Sequence, residues 1–156
     1  MSRGQHIAIA GAGPVGAVAA LALQQRGFAV TIVDRRKPAP GPHGLGMDIR
    51  NVALSQGSRK LVESVIAWPQ QAGMFKSMRV WEQWGVNALN FDAEELGSNC
   101  LGWICEVAPL LQALWQQLEA NPGIRIVLGD IQLVEANSTG VAIAVADESL
   151  SADFLV

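Results

Sequence analysis

Three glycines pose the first chemical question. Gly11, Gly13 and Gly16, in the stretch "IAIAGAGPVGAVAALAL" (residues 7–23), spell G-x-G-x-x-G. That spacing suits a turn that brings a diphosphate against bare backbone. The first glycine permits a tight exit from a strand, the second lets a pyrophosphate approach, and the third lets a helix sit close to a sheet. The N-terminus of the helix would add free N–H donors and partial positive charge. An acid that grips a ribose belongs about 20 residues further on. Asp34 stands there, followed by Arg35 and Arg36, which would also suit a 2′-phosphate. The motif alone does not separate FAD from NAD or NADP.

Other reactive side chains carry less. His6 and His43 have no ligand-spaced partners, so no metal site is expected. The spacing of Cys100 and Cys105 matches no zinc or redox pattern, and both read as buried, reduced thiols. Asp92, Glu94 and Glu95 read as a charged loop rather than an acid/base pair. Trp81, Trp84, Trp103 and Trp115 suit packing positions better than a quinone-binding surface. No catalytic triad is visible, and no catalytic residue is assigned.

The elements that would position the glycine turn are legible around it. "HIAIA" (6–10) reads as a buried parallel strand. "PVGAVAALALQQRG" reads as a helix with Pro14 in its first turn and Gly27 as its C-cap. "FAVTIVD" (28–34) reads as a second buried strand, completing a β-α-β unit. Residues 37–46, "KPAPGPHGLG", form a loop that includes His43. "SRKLVESVIAW" reads as a helix capped by Ser58 and stopped by Pro69. The pattern then predicts an antiparallel hairpin, 78–84 with 87–92, turning near Gly85. "APLLQALWQQLEANPG" predicts a helix, "IRIVLG" a third parallel strand, and "IQLVEANSTGVAIAVA" another hairpin turning at 137–140. "SADFLV" opens a further strand. A parallel sheet of at least three strands, 6–10, 28–34 and 124–128, is expected. A strand running to the last residue suggests a fragment of something longer.

The bulk numbers set the class. The chain has 156 residues, 50% hydrophobic and 16% charged, with a net charge of −3. That is enough chain for one core and excludes a general nucleic-acid binder, which would carry a basic excess. Residues 7–23 are interrupted by glycines and Pro14, which argues against a signal peptide and a membrane span. The expectation is a cytoplasmic chain, at most peripheral to an inner membrane.

A longer series decides between cofactors. "MDIRNVALSQGSRKLVESVIAW", "MRVWEQWGVNALNFDAEELG", "LGWICEVAPLLQALWQQLE" and "SADFLV" occur in that order. The series resembles the flavin-dependent aromatic hydroxylases of ubiquinone biosynthesis, the 2-octaprenyl-phenol and benzoquinol hydroxylase group, relatives of para-hydroxybenzoate hydroxylase. The resemblance implies a partial, truncated Rossmann-like FAD-binding domain of the α/β class over residues 1–156, a parallel sheet with antiparallel hairpins. Residues 70–105 would contribute to the substrate-side sheet. It implies FAD held by Gly11, Gly13, Val15, Gly16, Asp34 and Arg35, with Arg50 of Asp48-Ile49-Arg50 approaching from the other side. A plain surface salt bridge between Arg50 and Asp48 is the alternative. Val107 departs from the family, which usually carries Asn or Arg there. Either that cofactor contact is lost or backbone replaces it. The family's second and third cofactor motifs are absent.

By the same resemblance, the activity would be a monooxygenase reaction with NAD(P)H as electron donor and a prenylated phenol or quinol as substrate. Peripheral membrane or biosynthetic-complex association and self-association through exposed apolar surface are further expectations. Two other readings stand beside it: an NAD(P)-binding dehydrogenase domain, which would show more β-α-β units after residue 34, and a catalytically inactive fragment.

Overall fold

The structure, a computed structural model, describes residues 4–39, 48–85 and 87–156. His43 and most of the Pro/Gly loop lie outside the described residues. In chain order the elements are β1 (His6–Ala10), α1 (Pro14–Gln25), β2 (Ala29–Asp34), β3 (Asn51–Leu54), α2 (Gln56–Glu63), β4 (Gly73–Phe75), β5 (Ser77–Trp81), β6 (Ala88–Asp92), β7 (Gly102–Glu106), α3 (Val107–Ala120), β8 (Ile124–Leu128), β9 (Ile131–Asn137), β10 (Gly140–Val145), β11 (Glu148–Ala152) and β12 (Phe154–Leu155).

Strands β12, β1, β2 and β8 form a parallel sheet in that order. The three strands expected for it are present, and β12 adds a fourth at one edge. Period-two alternation splits their side chains between two cores. Ile7, Ile9, Val30, Ile32 and Ile124 face α1 and α3, where Leu110, Leu114 and Leu118 are buried against them. Ala8, Val33 and Val127 face Ile143, Val145 and Leu150 of an antiparallel meander, β11-β10-β9. The result is three layers: helices, parallel sheet, antiparallel sheet.

Helix α1 starts with Pro14 at its first position. It ends in a Schellman arrangement, with Gly27 N–H on Gln24 O at 2.9 Å and Phe28 N–H on Leu23 O at 3.3 Å. Gly27 takes φ +88° there, the left-handed conformation this cap needs.

The middle of the chain departs from expectation at three places. Helix α2 is capped by Ser55 rather than Ser58; the Ser55 hydroxyl accepts the Ser58 N–H at 3.2 Å. It ends at Glu63, well before Pro69, where the Ser64 hydroxyl donates to the Leu61 carbonyl at 2.6 Å and the next turns tighten. The predicted hairpin is a ribbon of β5 and β6, but its first strand stops at Trp81. A three-stranded antiparallel sheet, β3-β7-β4, was not foreseen. Antiparallel strands thus fill the stretch after β2, in place of the repeated parallel units that a dehydrogenase domain would show. Both cysteines are free and buried, as expected. Burial pushes the Cys105 thiol above its ordinary range, and the Arg59 charge pulls the other way. Among the described residues, no helix is long and apolar enough to cross a membrane.

Candidate functional site

The glycine turn joins β1 to α1. Gly11 leaves the strand at φ +102°, which a side chain would strain. Its N–H donates to Val33 O at 2.7 Å. A Cβ on Gly16 would sit 1.9 Å from Gly11 O, so only glycine lets the helix approach this closely. Gly13 differs from both. Its backbone (φ −67°, ψ 179°) suits any residue, yet a Cβ there would meet nothing within 4 Å. Two glycines therefore shape the turn, and the third keeps a face of it open. As N-cap of α1, Gly13 has no side chain to bond the first helical N–H groups, which stay available to an acceptor. Val15, exposed on that first turn, belongs to the same end.

The open face looks into a cleft of about 510 Å³ lined by Ala12, Gly13, Asp34, Arg36, Lys37, Arg50, Ala108, Leu111 and Trp115, among others. Asp34, at the end of β2, is oriented by the turn itself. Its Oδ2 accepts the Ala12 N–H at 2.7 Å, and its Oδ1 accepts the Arg36 N–H at 3.3 Å. Trp115 of α3 is buried beneath the turn, its indole N–H donating to Ala12 O at 2.9 Å. Arg50 reaches the cleft from the segment before β3. It does form the ion pair with Asp48 weighed as the alternative, Nη2 to Oδ2 at 3.3 Å, while its own side chain stays 65% exposed.

Of the residues singled out from sequence, Gly13, Asp34 and Arg50 meet in this cleft. Gly11 and Gly16 lie behind it as the frame of the turn. Arg35 points elsewhere: its guanidinium lies 3.9 Å from Asp130, in a separate hollow with Gly11 and Gly129. Arg36 and Lys37, in the bend that follows β2, line the cleft instead. Sequence reasoning missed Asp48 as more than an ion-pair partner, and missed Ala108 and Leu111. The signal for Asp48 was its spacing from Arg50, two residues apart on an extended segment.

Val107 sits at the start of α3, where its N–H donates to Arg50 O at 3.0 Å and the next N–H, from Ala108, donates to Asp48 Oδ2 at 2.9 Å. Both N–H groups are therefore taken up within the protein, by the segment that carries Arg50. The packing role expected for the tryptophans holds for Trp115 and Trp103, whose ring meets Trp68 edge-on at 6.0 Å with Arg59 over both rings. It fails for Trp81 and Trp84, both exposed; among the described residues, no layer covers the β5–β6 ribbon. His6 Nε2 lies 2.8 Å from Thr31 Oγ1, away from the cleft. Asp92 caps its own loop by accepting the Glu94 N–H at 2.9 Å. Among the described residues, no cluster could hold a metal ion.

Comparison with known proteins gives a consistent picture. Residues 5–149 match the family described as FAD binding domain. The 3-demethoxyubiquinol 3-hydroxylase of Escherichia coli (strain K12) is 39% identical over 125 residues, 78% of this chain and 32% of that protein. The chain therefore spans about a third of the length of this curated relative. Among solved structures, p-nitrophenol 4-monooxygenase from Pseudomonas putida DLL-E4 superposes with a TM-score of 0.64 at 15% identity, covering 99% of this chain and 39% of that one. For 2,6-dihydroxypyridine-3-hydroxylase from Arthrobacter nicotinovorans the values are 0.61, 17%, 97% and 36%. At such identities the structures show a shared fold.

Proposed function

The chain belongs to the FAD-binding-domain family, and from that premise we propose that it forms the adenosine-diphosphate end of an FAD site in a flavin-dependent hydroxylase. One observation carries the reading. Gly13, Asp34 and Arg50, from three separate segments, line a single cleft. Each fits a part of the cofactor. The space left by the missing Cβ of Gly13 admits a diphosphate against the uncapped start of α1. Gly11 and Gly16 hold that start in place, and the N–H of Val15 lies on it. Asp34 keeps acceptor capacity for a ribose hydroxyl beyond its two backbone partners. Arg36 and Arg50 balance the negative charge. Arg35, beside Asp130, is left with at most a long-range electrostatic part.

When bound, FAD supplies the electron and oxygen chemistry of such hydroxylases; the protein's share is to bind, orient and shield it. For the whole enzyme, the reading extends to a prenylated phenol or quinol as substrate and NAD(P)H as electron donor. The identity to 3-demethoxyubiquinol 3-hydroxylase supports the substrate class. A prenylated substrate partitions into lipid, which favours work at a membrane surface. Residues 70–105 would serve the substrate side: β5 and β6 carry apolar side chains on one face that no other described residues cover. The same face would drive self-association of the isolated chain.

The test is FAD binding by the 156-residue chain, read by flavin fluorescence quenching and equilibrium dialysis with NAD and NADP alongside. Saturable FAD binding that Gly13→Val abolishes is the expected result. NADP binding in its place would sink the flavin assignment.

A further inference from the structure

We propose that Asp48 is a positioning residue: its carboxylate fixes the Arg50 guanidinium at the mouth of the nucleotide cleft and ties the start of α3 to the same segment. The inference depends on the FAD reading above for its purpose, though not for its geometry.

Asp48 is the one buried carboxylate among the described residues, 4% exposed. A carboxylate taken out of water is costly unless its oxygens are satisfied. Here they accept from four donors. Oδ1 takes the Arg50 N–H at 3.0 Å and the Arg50 Nε–H at 3.3 Å. Oδ2 takes the Arg50 Nη2 at 3.3 Å and the Ala108 N–H at 2.9 Å. All four belong either to Arg50 or to the first turn of α3. The link is returned: the Asp48 N–H donates to Glu106 Oε2 at 2.9 Å, and Arg50 O accepts the Val107 N–H at 3.0 Å. This is the reciprocal logic of a capping box, made between two segments far apart in sequence.

The consequence for Arg50 is a defined pose. Nε and one Nη2 hydrogen face Asp48, so Nη1 and the remaining Nη2 hydrogen are the donors left for a ligand in the cleft. An arginine held this way has already lost its rotamer freedom before the ligand arrives, which favours binding. Arg50 could supply charge from many rotamers; Asp48 selects the one that looks across at Gly13 and Asp34.

A double-mutant cycle on FAD affinity tests this. Asp48→Asn keeps an acceptor for the Ala108 N–H but loses the charged fork. In the wild-type background it should raise the FAD dissociation constant roughly threefold to tenfold, and it should add nothing further in Arg50→Met. Equal weakening in both backgrounds, as a mere cap of α3 would give, overturns the proposal; so does no weakening in either. Should Asp48→Asn fail to fold, Arg50→Lys replaces it, since lysine keeps the charge without the fork, and unchanged FAD affinity in that variant overturns the proposal. A second readout needs no FAD. The Arg50 Nε–H resonance of the labelled wild-type chain should exchange slowly with water and should exchange faster in Asp48→Asn. Equally fast exchange in both overturns the proposal. A wild-type chain that binds no FAD, with Arg50 Nε–H protected, overturns the functional reading and leaves the positioning itself upheld.

Discussion

The parallel sheet and the β5–β6 ribbon are patterned alike and end in opposite surroundings. In the sheet, Ile7 and Ile9 alternate with Ala8, and Val30 and Ile32 with Thr31 and Val33; both sets are buried, one under helices and one under the meander. In the ribbon, Met78 pairs with Phe91 and Val80 with Leu89, so four apolar side chains share one face. Ser77, Arg79, Asn90 and Asp92 take the other, with Trp81 and Ala88 at its end. All four apolar residues are exposed, Leu89 at 65%. Alternation specifies which face wants a cover, but it does not provide the cover. A two-stranded ribbon is marginal by itself, so the stability of this chain resides in the three-layer region, where the glycine turn also sits.

The contrast can be broken most severely at the turn. Gly16→Val would drive a branched side chain into the backbone at Gly11 O, a clash no rotamer relieves, and we expect destabilisation beyond about 5 kcal/mol, in the exceptional range. Gly13→Val, facing open space, should cost only about 1 kcal/mol, the disadvantage of an aliphatic residue at a helix N-cap, while removing FAD binding. Urea denaturation followed by circular dichroism separates them; equal losses would mean that the two glycines do the same work.

Next comes the core itself. Leu114, fully buried between the sheet and α1, should cost about 2–5 kcal/mol as Leu114→Ala. A loss below about 1 kcal/mol would place the stability of the chain outside the three-layer region.

A smaller effect belongs to the seam between residues 48–50 and α3. The Arg50 N–H foremost, then its guanidinium and the Ala108 N–H, hold the Asp48 carboxyl below its usual 3.8 against the opposing pull of desolvation. A carboxylate with a depressed folded-state pKa adds stability that is present above the unfolded value and lost as pH falls through the folded one. Acidification below about pH 4 should therefore cost the wild-type chain more stability than Asp48→Asn. Parallel acid-unfolding curves would assign that loss to other groups.

The smallest expected change is on the ribbon. Val80→Ser with Leu89→Ser should alter stability by no more than about 0.5 kcal/mol and should reduce assembled species in sedimentation velocity. Substantial destabilisation would show that the ribbon face is covered within the chain after all.

What sequence determined here was local. The β-α-β unit was legible because each of its signals acts within a few residues: Pro14 at a helix start, Gly27 in a Schellman turn, apolar β-branched runs too short for helices. Asp34 followed from its place at the end of a strand. The β9–β10 hairpin announced itself through the turn at 137–140. Family resemblance named the cofactor, which no local pattern could do. Tertiary structure alone decided the rest. The β3-β7-β4 sheet joins segments of three to five residues whose pairing energy is non-local, so their composition carries little trace of it. Ser55 displaced Ser58 as a cap because hydroxyl geometry, not residue type, selects between two serines. The resemblance pointed to Arg35 rather than Arg36; the end of β2 places Arg35 beside Asp130 and Arg36 in the cleft. Asp48 read as half of a surface pair until α3 folded over it, because burial and a second set of donors arrive only when residues 48–50 meet residues 106–108.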